Sequence, residues 1–239
     1  IDNIRSKSNI YTPIIEAIVN SIQSIVLKKI ENGKIEIILH REKVLEIDNS
    51  IPSVKTIEIR DNGIGFTQEN RDSFDTFYSE YKKSIGGKGF GRFMYVKYFN
   101  NVYVNSVFKD SNATLNSRYF RFGREYEIIV DEKVELSKAV DTYSSVTLEN
   151  IKSGQNFDKQ IETIARRILD KILIYFINDT FTPPTIILKE AEGNHSIVLN
   201  DFLTEINEIK LWKSKDFVLE DDKQQTFDFV AKVFKIYYP

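Results

Sequence analysis

A chain of 239 residues with 33 basic and 35 acidic side chains carries a formal net charge of −2, and 41% of its residues are hydrophobic. That is enough apolar material for one large domain, or a domain and a smaller companion, and it excludes an intrinsically disordered chain. The charges are interspersed and lack the basic excess of a dedicated nucleic-acid-binding domain, although Lys82, Lys83, Lys88, Arg92 and Lys97 could form a local patch. There is no cysteine, so disulfides and thiolate metal sites are excluded. No apolar run is long enough to span a bilayer and no signal peptide is visible, which makes the cytoplasm the default location. Ile1 at the start and a strand-like run from Phe234 to Pro239 at the end read as a fragment of a longer protein.

In chain order, Thr12-Pro13 is a helix start, with Thr as the cap and Pro at the first helical position. The helix is expected to run to about Glu31 and to end near Asn32-Gly33. Lys34 to His40 alternates as a strand, and Val54 to Arg60 is a second one that stops at Asp61-Asn62-Gly63. A stretch rich in glycine and polar residues follows to Gly91. Arg92 to Phe99 reads as a short helix. Asn101 to Phe108, Ser117 to Phe122, Glu125 to Val130 and Ser144 to Glu149 read as strands divided by turn residues.

Residues 156 to 178 carry the clearest helical period, with Ile161, Ile164, Ala165, Ile168, Leu169, Ile172, Leu173 and Phe176 on one stripe. Pro183-Pro184 breaks the chain after it. Residues 185 to 239 read as strands with a short helical piece around Asp201 to Glu208. The order of elements predicts an α+β sandwich with helices on one face of a mixed sheet. The division is expected near residue 180, with 1–180 as the main domain and 181–239 as the beginning of a second, truncated one.

Three places carry chemistry. On the opening helix, Glu16, Asn20, Gln23 and Ser24 recur at i, i+4, i+7 and i+8 among isoleucines and valines. A helix so apolar belongs in a core, and a buried carboxylate and amide need partners or water. The stripe therefore faces either a polar cleft or plain solvent. Next, the strand Ile57-Glu-Ile-Arg60 runs into Asp61-Asn-Gly-Ile-Gly65. A carboxylate just past a strand end can accept a hydrogen bond from a ligand amino group, and the glycines allow a flat ring to approach; an ordinary Asp-Asn-Gly turn has the same sequence. Last, six of the ten glycines fall between residues 63 and 91, and Gly87, Gly89 and Gly91 precede a predicted helix. Such a loop is a phosphate cradle or a flexible hinge. It is neither a Walker A loop nor a Rossmann fingerprint.

Glu and Asn four apart on an N-terminal helix, then Asp-x-Gly-x-Gly after a strand, then Gly-x-Gly-x-Gly opening a helix, together resemble the GHKL ATPase superfamily. That superfamily includes DNA gyrase, the ninety-kilodalton heat-shock chaperones, sensor histidine kinases, MutL and MORC proteins. The resemblance covers about residues 10 to 150 and implies a two-layer Bergerat-type sandwich on a mixed, mostly antiparallel sheet. It implies ATP and Mg2+ as ligands. By position, Glu16 matches the general base that polarises water and Asn20 the Mg2+ holder. Asp61 matches the acceptor for the adenine amino group, with Gly63 and Gly65 beside the base. Gly87, Lys88, Gly89, Phe90 and Gly91 match the phosphate-contacting end of the lid. Ser144 stands where the family often has a Thr near the adenine pocket, although the usual Gly-Thr pair reads Tyr143-Ser144 here.

Gln23 departs from the family, in which many members carry Asp. The lid aromatics Phe74, Phe77, Tyr78 and Tyr81 read as hydrophobic cover or a protein contact. Neither His40, at a strand end, nor His195, in a turn, reads as a kinase phosphoacceptor. The resemblance thus implies an ATPase with slow turnover, ATP-driven lid closure and homodimerisation, coupled to work on a nucleic acid or protein client. A kinase-like or ATP-sensing module without turnover is the second reading. The sequence Ser84 to Phe93 looks most like the MORC-like and chaperone-like bacterial branches.

Overall fold

The computed structural model describes residues 8–43, 51–75, 91–123, 129–178, 180–201, 209–220 and 225–236. Helix α1 (Tyr11–Lys28) opens the chain. It begins earlier than the Thr12 cap predicts: the Asn9 side chain accepts the Tyr11 N–H, and Thr12 Oγ1 accepts the Asn9 N–H from within the first turn. It also ends earlier, because Lys29 turns into the left-handed region at φ 56° and its N–H closes on Ile25 and Val26 carbonyls. Ile14, Ile18 and Ile22 lie on one side of α1 and are almost wholly buried, each stabilising the fold by about 1.5–3 kcal/mol.

Strands β1 (Lys34–Arg41) and β2 (Val54–Asp61) pair antiparallel, with Ile35 opposite Asp61. Helix α2 (Gln68–Asp75) and helix α3 (Gly91–Tyr98) precede a meander of β3 (Phe99–Lys109), β4 (Leu115–Phe122) and β5 (Ile129–Leu136). Strand β6 (Tyr143–Ile151) inserts between β2 and β3. Helix α4 (Ile161–Phe176) follows, then β7 (Thr185–Glu190) and β8 (Ser196–Val198). The resulting eight-stranded sheet runs β5-β4-β3-β6-β2-β1-β7-β8. Among the described residues, β1 with β7 is its one parallel pair. The α+β reading of the sequence, a mixed and mostly antiparallel sheet with helices on one face, describes this architecture.

Period-two alternation sorts the side chains of β2. Ile57, Ile59 and Asp61 are buried toward the helices, while Glu58 and Arg60 turn to the other face. That other face is polar: Glu36 meets Lys34 and Lys189, and Glu58 accepts from Arg60 and Ser145.

Several elements differ from expectation. Residues 68–75 are helical although no helix is visible there in sequence, because α2 is polar almost throughout and has no apolar stripe to read. Of the strand expected over Glu125 to Val130, residues 125–128 lie outside the described residues, and the described strand β5 runs on to Leu136. It is an edge strand whose residues after Val130 are mostly exposed, so no alternation marks it. Helix α4 is shorter than 156–178. The sheet incorporates β7 and β8, so the first compact unit extends to Leu199, past the boundary expected at residue 180. The second unit, residues 200–239, contains a long hairpin of β9 (Ile209–Glu220) and β10 (Thr226–Ile236). Of the short helix expected around 201–208, only its start near Asp201 falls within the described residues. Among the described residues, no helix is long and apolar enough to cross a membrane.

Candidate functional site

Between α1 and the β2-β6-β3 centre of the sheet lies a cleft of about 830 Å³, counting its part open to solvent. Ala17, Leu27, Phe66, Val104, Phe122 and Val146 make it largely apolar. Asn20, Ser21, Gln23 and Ser24 reach it from α1, so the polar stripe of that helix faces a cleft from Asn20 onward, with Glu16 outside its lining. Asn70 of α2 and Tyr95 of α3 complete its polar groups, together with Asp61 and Ser144.

Asp61 is the anchor. As the last residue of β2, it continues the inward row of Ile57 and Ile59 and is only 6% exposed. Its Oδ1 accepts the Gly63 N–H at 2.9 Å and its Oδ2 accepts the Ser21 hydroxyl at 3.0 Å. Burial pushes its pKa up to about 6, against the pull of the Gly63 N–H, Ser21, Ser24 and the Lys28 charge. Ser144 is its direct cross-strand neighbour, and the Ser144 hydroxyl lies 3.3 Å from that of Ser106. Ser24 Oγ is buried without a well-formed hydrogen bond, yet it lies close enough to Asp61 to pull the carboxyl's pKa down, so its bonding capacity is only partly used.

The loop after Asp61 is held from several sides. Lys28 Nζ donates to the Asn62 carbonyl at 2.9 Å, and Thr142 Oγ1 donates to the Gly63 carbonyl at 2.6 Å. The Asn62 side chain accepts the Lys34 N–H and donates to the Asn32 carbonyl. Ser106 Oγ accepts the Phe66 N–H at 2.7 Å. The two glycines serve this packing. A Cβ on Gly63 would run into Ser24, and one on Gly65 would run into the Val107 backbone. Gly65 also sits at φ 81°, a conformation that other residues seldom adopt. Gly65 lines the cleft, whereas Gly63 supports it from behind by letting α1 come close.

Glu16 lies one turn before Asn20 on α1. It is half-buried and stands outside the residues that line the cleft. Burial raises the pKa of the Tyr95 hydroxyl; the Glu16 charge adds to that rise, and a hydrogen bond from the Asn20 side chain opposes it. Burial and the same Glu16 charge raise Tyr175 of α4. Glu16, Asn20 and Tyr95 are thus neighbours at the inner end of α1. Gly91 opens α3, whose first-turn amides have no acceptor within the helix. Gly87, Lys88, Gly89 and Phe90 lie outside the described residues, as do the side chains of the lid aromatics.

Sequence reasoning missed Tyr95. It sits between Met94 and Val96, both buried, and no polar period marks which way its hydroxyl turns. It missed Phe66, Val104 and Phe122 as cleft walls too, since apolar strand residues carry no sign of lining a cavity.

The donor set suits a magnesium nucleotide. A buried acceptor among apolar walls, beside a weakly bonded hydroxyl, fits a flat heterocycle that bears an amino group. Among the described residues no cluster of three or more His, Cys, Asp or Glu could cage a metal. A cation here would rest on one or two protein oxygens and on ligand phosphates, which is the usual way with Mg2+.

A titration follows from Asp61. Its carboxyl binds a proton more tightly in the folded chain, at about 6, than in the unfolded one, at about 3.9. Its contribution to stability is therefore fully present below about pH 4 and is lost as pH rises through about 6, a change of about 3 kcal/mol at most. Urea titrations at pH 4.5 and 7.5 should show this component, and Asp61→Asn should remove it. Unchanged pH dependence in that variant would mean the carboxyl is not perturbed.

Residues 7–108 match a family model described as histidine kinase-, DNA gyrase B-, and HSP90-like ATPase. No curated protein matches the chain. Solved structures that resemble it include the ATPase region of Saccharomyces cerevisiae topoisomerase II, both as such and bound to ICRF-187 (dexrazoxane). Each has 17% identity and a TM-score of 0.49, and the matches cover 89% and 87% of this chain. The chain spans 58% of the length of either structure.

Proposed function

Since residues 7–108 match a model of the histidine kinase-, DNA gyrase B- and HSP90-like ATPases, we propose that the cleft binds Mg-ATP and that the chain hydrolyses it slowly. The observation that carries this reading is Asp61: a buried carboxylate at a strand end, facing a largely apolar cleft. In this reading it accepts the adenine amino group, and the ring packs near Gly65, Phe66, Val104 and Val146. Ser24 or Ser144 meets a ring nitrogen directly or through water. Asn20 would supply an oxygen for Mg2+, whose charge would neutralise the phosphates. Glu16 would take a proton from the attacking water as the bond between the γ-phosphorus and the bridging oxygen breaks, giving ADP and phosphate. By the motif resemblance, Gly87, Lys88, Gly89, Phe90 and Gly91 would contact the phosphates.

The resemblance of the motifs extends the reading to lid closure and homodimerisation on ATP, driving work on a client. The matched family description spans kinases and ATPases. It selects no branch, the MORC-like one included.

The test is a thermal melt with and without Mg-ATP, followed by phosphate release. Ligand at about 100 times its dissociation constant stabilises by roughly 2.7 kcal/mol, an upward shift of roughly 5–10 °C for a domain of this size. A shift with turnover supports the ATPase. A shift without turnover leaves an ATP-sensing module, and no shift overturns the proposal.

A further inference from the structure

Arg118, on β4, is among the most deeply buried side chains of the fold, at 2% exposure. Its Nη1 donates to the carbonyls of Phe66 at 2.9 Å and Thr67 at 2.8 Å, and its Nη2 donates to Gln68 Oε1 at 2.6 Å. Its Nε faces Glu132 Oε1 at 3.1 Å as an ion pair without hydrogen-bond geometry, and the guanidinium carbon lies 4.6 Å from the centre of the Phe108 ring. Glu132, on β5, also accepts from Arg71 Nε of α2 at 3.2 Å through its other oxygen. Two arginines and one carboxylate thereby tie the β4-β5 edge to the segment that leaves the Asp61 loop.

That segment supplies a wall of the cleft through Phe66 and Asn70. Asn70 is itself fastened inward, its amide donating to the Gly65 carbonyl at 3.3 Å and its backbone N–H to Thr67 Oγ1 at 3.2 Å. Burying a guanidinium is costly unless its donors are paired, and an apolar side chain often serves stability as well or better. What a planar fork offers is geometry, since Nη1 holds the two carbonyls while Nη2 holds Gln68 Oε1 at a fixed spacing that a single ammonium cannot match.

We infer that Arg118 is a positioning residue for the nucleotide: gripping the Phe66 and Thr67 carbonyls, and braced by Glu132, it fixes the Phe66–Asn70 wall of the cleft. The inference rests on the cleft being the ATP site. Arg118 does not line the cleft and acts only through the wall. Its effect belongs mainly in how long the nucleotide stays, since an encounter does not require the wall to be set but retention does.

Two measurements on Arg118→Gln, Arg118→Lys and Glu132→Gln test this, with Arg121→Gln as the control. Arg121 pairs with Asp131 at the surface. Hydrogen exchange without nucleotide should rise at residues 66–72 in Arg118→Gln and stay unchanged along β1 and β2. Stopped-flow with a fluorescent ATP analogue and Mg2+ should show dissociation about tenfold faster or more, with association within about twofold. Arg118→Lys and Glu132→Gln should fall between it and the unmutated protein, and they carry the test if Arg118→Gln does not fold. Unchanged exchange at 66–72 would overturn the clamp, whether or not nucleotide binds. Faster exchange with unchanged dissociation would reduce Arg118 to a structural role. An unmutated protein that binds no nucleotide would sink the proposed function instead, while the exchange arm still decides whether Arg118 holds the wall.

Discussion

Asp61→Ala should cut the ATP-dependent rise in melting temperature, at the same ligand concentration, to between about half and nearly none, while leaving a folded domain. A hydrogen bond to a charged acceptor contributes about 1.5–3 kcal/mol, so affinity should fall about 10- to 150-fold. Fold stability should change less than the removal of a buried group would ordinarily imply. Alanine leaves the Gly63 N–H and the Ser21 hydroxyl without their acceptor, but it also removes a carboxylate whose burial already raises its pKa to about 6. These two effects oppose each other. Isothermal titration of Mg-ATP beside urea unfolding separates them. Affinity within threefold of the unmutated protein would show that the nucleobase is held elsewhere.

Glu16→Gln should have the larger effect on chemistry and the smaller one on binding. Glutamine keeps the volume and most of the hydrogen bonding but cannot take a proton from water. Loss of a general base typically costs 10²–10⁴ in rate, whereas Glu16 stands outside the cleft lining, so the dissociation constant should change by less than about threefold. Phosphate release at saturating Mg-ATP, with binding measured in parallel, reads both. Turnover within tenfold of the unmutated rate would remove Glu16 from the mechanism. Weakened binding with proportionate turnover would make it a ligand contact.

How far the sequence discloses this site depends on the range of the interactions. Asp61 is legible because strand alternation alone places it on the face of Ile57 and Ile59. The Asn20-Gln23-Ser24 stripe is legible because helical spacing interrupts a run of isoleucines. Gly65 draws notice in sequence, yet its structural reason, close approach to the Val107 backbone at a positive φ, needs β3 in place. The clamps by Lys28, Thr142 and Arg118 join segments distant along the chain, and no local pattern announces a lysine that will meet the Asn62 carbonyl. The return of β7 to lie parallel beside β1 is illegible for the same reason. Pro183-Pro184 looks like a boundary but serves as the entry to another strand of the same sheet. Helix α2 fails in a different way: its glutamine, asparagine and aspartate residues look like loop, and tertiary ties such as Arg71 to Glu132 hold it.

The place of β6 in the sheet bears on the order in which the domain assembles. The β1-β2 hairpin and the β3-β4-β5 meander are built from neighbours in sequence and can form early, each by itself. They meet only when β6, made after both, slides between β2 and β3. Distant pairings of this kind are slow to form. The cleft straddles that seam: Asp61 comes from the hairpin, Val104 and Phe122 from the meander, and Ser144 and Val146 from the inserted strand. A ligand there touches both early pieces and the strand that joins them, so it should slow the exit of β6 and lengthen the lifetime of the native state beyond what its equilibrium affinity alone conveys.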